Sequence, residues 1–122
     1  MADTIAAIAT GNVISAIGII RMSGDDAIKI AAKVFRSVRN VDLEKAENRK
    51  LYYGHLLDKN GNNIDLCLCT ISRGPHSYTG ENTAEFQCHG SPVVLAEGLS
   101  SLFAAGARQA GPGEFTKRAF LN

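Results

Sequence analysis

The chain has 122 residues, of which 45% are hydrophobic and 20% are charged. This length is enough for one domain with a hydrophobic core and too short to expect two, and the composition is typical of a globular chain rather than a disordered one. Thirteen basic residues against twelve acidic ones give a formal net charge of +1, which argues against a domain that holds nucleic acid mainly by its phosphates.

Two strands and a helix are predicted in the N-terminal third. Short apolar runs of strand length extend from Thr4 to Thr10 and from Ala16 to Ser23. The sequence SGDD then supplies residues that cap helix N-termini. Apolar residues recur at helical spacing after it, namely Ala27, Ile28, Ala31, Val34 and Phe35. We therefore expect a helix over these residues, with Lys29, Lys33 and Arg36 on its outer side.

A β-hairpin is the clearest prediction in the chain. A charged segment from Arg39 to Lys50, which we expect to be a solvated connection, leads into the runs LYYGHLLD and IDLCLCTIS. These runs flank Asn60-Gly61, a dipeptide strongly preferred in hairpin turns. A loop over residues 73–82 follows, and then a third strand-like run from Thr83 to His89.

The next predicted elements are a helix and a short strand. Ser91 is the expected N-cap, Pro92 the first helical residue and Gly106 the C-terminal stop. The sequence ARQA, residues 107–110, is a candidate short strand. Because strands and helices are mixed and a hairpin pairs antiparallel strands, we assign the α+β class, with a mixed sheet and helices packed on it.

The closing segment, GPGEFTKRAFLN, is patterned to start a helix. Glu114 lies in the first turn, where a carboxylate interacts favourably with the helix dipole. Apolar residues recur at helical spacing after it: Phe115, Ala119 and Phe120. Lys117 and Arg118 are expected to point outward. No helix stop signal follows, so these residues alone leave open whether the segment leads on into a longer protein.

The three cysteines allow a metal site or core packing. Cys67 and Cys69 share one face of a predicted strand, and Cys88 precedes His89. A Cys-x-Cys spacing inside a strand suits tetrahedral zinc poorly, and free cysteine is often buried, so we favour packing. An odd number of cysteines, without a secretory signal or an apolar run of about 20 residues, indicates a cytoplasmic protein with no membrane span.

The chain lacks the sequence signatures of three enzyme classes. The chain has neither the Gly-x-x-x-x-Gly-Lys-Ser/Thr phosphate loop nor a dinucleotide-binding fingerprint. His76 and Ser77 suggest a hydrolase, but adjacent residues rarely point at one another as base and nucleophile, and there is no Gly-x-Ser-x-Gly elbow. A simple turn and a ligand-lining loop remain the interpretations of this segment.

Arg21 and Glu85 are the charged residues that suggest binding. Alternation along AIGIIRMS places Arg21 on the face of Ile17 and Ile19, where its guanidinium either extends to water or contacts a ligand. Alternation along TAEFQCH directs Glu85 away from the apolar face. Glu85 either belongs to a solvated face or accepts two parallel hydrogen bonds from an amino-pyrimidine such as a pterin. Arg21 would then suit a carbonyl or carboxylate of the same ligand.

Several motifs together resemble one family. They are DTIAAIAT, AIGIIRMSG, YGHL, PHSYTGE, HGSPVV and GPGEFTKRAFLN. On these motifs the chain resembles, from Asp3 to Asn122, the N-terminal domain of the bacterial tRNA-modification GTPases called MnmE or TrmE. The resemblance implies that residues 1–122 form a tetrahydrofolate-binding and dimerisation domain. It also implies a fold similar to the folate-binding domain of the glycine-cleavage aminomethyltransferase, with helical and GTPase domains elsewhere in the intact protein.

The resemblance further implies what the intact protein does. Members of this family act as cytoplasmic homodimers that hydrolyse GTP with potassium and magnesium in the GTPase domain. With MnmG (GidA), an FAD protein that uses NADH, they modify C5 of the wobble uridine of tRNAs to carry a carboxymethylaminomethyl group. The folate, as 5-formyl- or 5,10-methylene-tetrahydrofolate, would be the one-carbon donor. Two alternatives stay open: a purely structural dimerisation scaffold, and a stand-alone folate-dependent one-carbon transferase.

The same resemblance implies site residues. Arg21 and Glu85 match the folate-contacting positions of the family, and the adjacent residues of SYTGE, Tyr78, Thr79 and Gly80, are expected to line the pocket. Their implied role is to recognise and orient the pterin, so no catalytic residue and no metal ligand is assigned. The chain departs from the family in the loop from Thr10 to Ser15, which lacks the usual Pro and Arg.

Overall fold

A computed structural model describes residues 3–10 and 16–122 of the chain. Within these residues, seven strands and three α-helices follow one another in a mixed order. They are β1 (Ile5–Ile8), β2 (Ile17–Ser23), α1 (Ala27–Val34), β3 (Phe35–Ser37), β4 (Tyr52–Leu57), β5 (Asn63–Ser72), β6 (Thr83–His89), α2 (Pro92–Ala104), β7 (Arg108–Gln109) and α3 (Glu114–Leu121). The loop from Thr10 to Ser15, in which the sequence departs from the family, lies outside the described residues except for Thr10.

The described strands form one mixed sheet in the order β3-β4-β5-β6-β2-β1-β7. All neighbouring pairs are antiparallel except β1 and β7, which are parallel. Helices α1 and α2 pack on one face of this sheet. The α+β class and the mixed sheet predicted from the sequence are therefore confirmed.

The core lies between the sheet and these two helices. On β2 the apolar side chains buried in this core are those of Ile20 and Met22, and on β6 they are those of Ala84, Phe86 and Cys88. Because side chains alternate along a strand, the residues between them point to the opposite side. We call this opposite side the open face; it carries Ile19 and Arg21 of β2, Glu85 and Gln87 of β6, and Leu68 and Thr70 of β5.

The predicted hairpin and the helix after it are confirmed. Strands β4 and β5 pair antiparallel, and Gly61 takes the positive φ of 82° that the turn requires. Helix α2 begins at Pro92, with the Ser91 hydroxyl accepting from the backbone N–H of Val94 at 3.5 Å. Gly106 has a φ of 123° just beyond the helix, and the short strand β7 follows, as expected from ARQA.

Helix α1 is shorter than predicted. It ends at Val34, and Phe35 and Arg36 belong to β3, where Phe35 pairs with Leu56 of β4. The helical spacing continued by chance into a segment whose backbone hydrogen bonds go to the sheet edge. The charged connection after it is mostly irregular but includes a short 3₁₀ helix, Leu43–Lys45, and Leu43 itself is buried.

Helix α3 exists as predicted, but two of its side chains lie on the opposite side of the helix from the predicted one. Arg118 was expected to point outward, yet its side chain is only 12% exposed, because carboxylates of the domain surround it. Phe120, expected on the apolar side, is 88% exposed. Helical periodicity gave the element correctly but not the face that contacts the rest of the domain.

Within the described residues, none of the helices has the length and apolar character that crossing a bilayer demands.

Candidate ligand-binding cleft

An ion pair on the open face forms the floor of the candidate site. Arg21 and Glu85 lie directly opposite each other in the antiparallel pairing of β2 and β6. The Nε and Nη2 groups of Arg21 both donate to Oε1 of Glu85, at 3.1 and 2.9 Å. Within the described residues, the other oxygen, Oε2, accepts no hydrogen bond. The side chains are 37% and 24% exposed, so the pair is held by the sheet and still open to a ligand.

A cleft of about 540 Å³ lies over this floor, a size within the range of small-molecule sites. Its lining comes from the open face, from the connection before β4 and from the 73–82 loop. The lining residues are Arg21, Arg49, Leu51, Thr70, Ser72, Tyr78, Thr79, Thr83, Ala84 and Glu85. The cleft therefore brings together four of the five residues that the sequence assigned to binding.

The walls of the cleft offer both apolar and polar surface. Tyr78 and Leu51 are exposed large side chains, and an aromatic ring beside a flat ligand gains both apolar contact and stacking. Thr79, in contrast, is buried, and its hydroxyl lies 2.6 Å from that of Ser23. A ligand in this cleft would meet a carboxylate and a guanidinium on the floor and an aromatic ring at the side.

Gly80 is the predicted site residue that the structure leaves outside the cleft lining. Its φ is 78°, and a Cβ added there would lie 2.6 Å from the Cβ of Asn122. It lines a neighbouring depression together with Glu81, Arg118 and Asn122. The small size of Gly80 is thus needed for the turn and for the close approach of Asn122.

Sequence reasoning missed the contributions of Arg49, Leu51 and Thr70. Arg49 lay in a segment expected to be merely solvated, but its Nη2 donates to the backbone carbonyl of His76 at 2.8 Å and its side chain lines the cleft. Thr70 pairs directly with Glu85 across β5 and β6. Alternation along the strand marks Thr70 as facing away from Cys69, but only the strand order brings it beside Glu85.

The other residues that sequence analysis considered for catalysis or metal binding have structural roles. The Ser77 hydroxyl donates to the backbone carbonyl of Glu81 within the 73–82 loop, which is the contact of a turn and not of a nucleophile. The three cysteines are buried in the core. Burial raises the pKa of Cys69. The pKa of Cys67 is raised mainly by its hydrogen bond with Cys88 and, to a smaller extent, by burial. His89 is bound to Asp65, its ring Nδ1 lying 2.8 Å from Oδ1.

The chain is similar to known proteins over nearly all of its length. A model of the family described as "GTP-binding protein TrmE N-terminus" matches residues 4–122. A relative from Symbiobacterium thermophilum, named tRNA modification GTPase MnmE, is 48% identical over 120 residues, which is 98% of this chain and 26% of the relative. Relatives with the same name from Roseiflexus sp. and Chloroflexus aurantiacus are 49% identical over 98% and 48% identical over 100% of this chain, covering 25% and 26% of their own lengths. The chain thus spans about a quarter of these relatives.

Proposed function

The chain belongs to the family of the TrmE N-terminus, and from this we propose that its cleft binds a reduced folate within a tRNA-modifying GTPase. The observation that carries the proposal is the Arg21–Glu85 pair on the floor of the cleft. A carboxylate held on a strand with one oxygen still able to accept is suited to a ligand edge that presents N–H donors. The pterin ring of a folate has such an edge.

The rest of the lining fits the other parts of a folate. Tyr78 and Leu51 offer apolar surface to the flat ring system and to the aminobenzoyl group. The guanidinium groups of Arg21 and Arg49 are suited to a carbonyl and to the carboxylates of the glutamate tail. When bound, a folate that carries a formyl or methylene group supplies a one-carbon unit. The residues of this chain bind and orient the ligand, and none of them is assigned an acid–base role.

The activity of the whole protein is proposed from the relatives. Their printed name, tRNA modification GTPase, supports the proposal that the intact protein hydrolyses GTP and takes part in tRNA modification. We extend this to the modification of C5 of the wobble uridine, with the FAD protein MnmG as partner and with potassium and magnesium at the GTPase site. The net charge of +1 supports placing the main tRNA contacts on other parts of the assembly.

A homodimer is also proposed, and exposed apolar residues support it. Ile17 and Tyr53 are large apolar side chains that are about half exposed, and both lie on strands of the sheet. Apolar surface of this kind is typical of contact surfaces between proteins. The scaffold alternative assigns this surface to dimerisation and gives the cleft no ligand.

Calorimetric titration of the 122-residue chain with 5-formyltetrahydrofolate tests the binding proposal. We expect saturable binding of one ligand per chain, lost in Glu85→Gln because the amide brings an N–H group where the ligand needs an acceptor. Glu97→Gln is the matched control, since Glu97 is exposed on α2, which packs on the other side of the sheet. No binding by a folded, dimeric sample would favour the scaffold alternative.

A further inference from the structure

Arg118 of α3 is enclosed by acceptors from three parts of the domain. Its Nη2 donates to Oδ1 of Asp3 at 2.6 Å and to Oε2 of Glu114 at 3.1 Å. Its Nη1 donates to the backbone carbonyl of Asp3 at 2.7 Å and to Oε1 of Glu81 at 3.1 Å. A guanidinium in which both Nη groups are shared in this way is held in one orientation.

Glu81 connects this guanidinium to the cleft. The Glu81 side chain is only 10% exposed, and its Oε1 also accepts from the hydroxyl of Ser23 at 2.7 Å. The same hydroxyl lies 2.6 Å from the hydroxyl of Thr79, and both Ser23 and Thr79 are buried. A continuous chain of polar contacts therefore runs from Arg118 through Glu81 and Ser23 to a residue of the cleft wall.

A second contact joins the end of α3 to the same residue. Nδ2 of Asn122 donates to the backbone carbonyl of Thr79 at 3.0 Å. The side chain of Asn122 also lies over Gly80, where a Cβ would meet it at 2.6 Å. Helix α3 thus holds the 73–82 loop both through a side-chain relay and through the loop backbone.

We propose that Arg118 is a positioning residue of the cleft, which holds the 73–82 loop so that Tyr78 and Thr79 face a ligand. The inference rests on the proposed folate binding for its effect on affinity, but the holding of the loop does not. The physical reason is the charge of Glu81. A largely buried carboxylate without a cation is costly, so loss of Arg118 favours loop conformations in which Glu81 reaches water and Thr79 leaves the wall.

The alternative is that Arg118 only fixes α3 to Asp3 and bonds to Glu114 within the helix. Removing Arg118 would then loosen the helix without affecting the loop. The two roles differ in their dependence on Glu81, because only the relay predicts that neutralising Glu81 compensates for the loss of Arg118. Replacing both partners of a buried polar contact is far less costly than leaving one of them alone.

Four variants of the chain test the relay: Arg118→Gln, Arg118→Lys, the double variant Arg118→Gln with Glu81→Gln, and the control Lys117→Gln. Lys117 is the exposed neighbour on α3. Amide hydrogen exchange, measured without ligand, should rise over 73–82 in Arg118→Gln and stay unchanged in the β4–β5 hairpin. Protection should return in large part in the double variant and in Arg118→Lys, and Lys117→Gln should match the parent chain.

The affinity for 5-formyltetrahydrofolate, measured by calorimetry, should fall roughly tenfold in Arg118→Gln, as expected for leaving a buried charge unpaired, and should recover in the double variant. Unchanged exchange over 73–82 in Arg118→Gln would overturn the proposal, and so would faster exchange with unaltered affinity. If the parent chain bound no folate, the proposed function would fail, while the ligand-free exchange would still decide whether Arg118 holds the loop.

Discussion

Replacing Gly98 by alanine is a sharp test of how closely α2 packs on the sheet behind Arg21. Gly98 is buried in the middle of α2. A Cβ added there would lie 2.6 Å from Cδ1 of Ile20 and 2.9 Å from Cδ2 of Leu56. Both side chains are fully buried, so neither methyl group can move aside without displacing another part of the core.

Two opposing effects set the expected size of the change. Alanine in a helix interior is favoured over glycine by about 1 kcal/mol. Inserting a methyl group into a packed core typically costs about 1–3 kcal/mol. The close distances at Gly98 place the second effect above the first, so we expect Gly98→Ala to lower the free energy of unfolding by about 1 kcal/mol.

Urea unfolding followed by circular dichroism measures this difference. Ala96→Gly, at an exposed position of the same helix, is the matched control, and its expected loss of about 1 kcal/mol reports the helix propensity alone. A gain of about 1 kcal/mol in Gly98→Ala would refute the reasoning, because it would mean that α2 leaves room for a side chain above β2 and β4.

Three further predictions address the core, the α3 contacts and the cysteines. Phe86 is fully buried and packs against Phe35, so Phe86→Ala should lower the free energy of unfolding by about 3–5 kcal/mol. Gln87→Ala, on the open face, should change it by less than about 0.5 kcal/mol. Similar losses at the two positions would contradict the assigned strand faces. The hydrogen bond from Arg108, together with the weaker effect of that from the Gly111 N–H, lowers the pKa of Glu114 from 4.5 to about 2, so the stabilisation by the ionised carboxylate should be complete above pH 4.5 and disappear as the pH falls towards 2. The difference in unfolding free energy between the parent chain and Glu114→Gln, measured by urea unfolding, should therefore shrink over this pH range. A difference independent of pH would argue against these contacts. Alkylation by iodoacetamide at pH 8 should be slow at all three cysteines in the folded chain and fast in urea, since they are buried and the pKa values of Cys67 and Cys69 are raised; rapid labelling of the folded chain would show that the core is open.

The features that local sequence determines were predicted well. The Asn60-Gly61 turn defined the hairpin, because few residues other than Gly and Asn adopt the left-handed backbone that such a turn needs. Strand alternation placed the side chains of Glu85 and Phe86 on opposite faces of the sheet. The Ser91-Pro92 pair predicted the start of α2, because capping and the fixed φ of proline are properties of a few neighbouring residues.

The cleft itself was only partly predictable. Arg21 and Glu85 were singled out one at a time, since each stood out on its own strand. That they contact one another follows from the pairing of β2 with β6, although the two residues are 64 positions apart in the chain. Arg49 gave no signal, because its position in the lining depends on the path of an irregular connection.

The sequence by itself determined most of the strands and helices, though not β3, and which residues along an element share a face. Only the tertiary structure decided which face is covered. Arg21 shares its face of β2 with Ile17 and Ile19, as alternation requires. Helices α1 and α2, however, cover the opposite face of the sheet, so these isoleucines lie on the open face with the cleft. Arg118 points inward although helical spacing placed it outside, because Asp3, Glu81 and Glu114 converge on it. Periodicity is a property of neighbours along the chain, whereas burial depends on partners that folding brings together from distant segments.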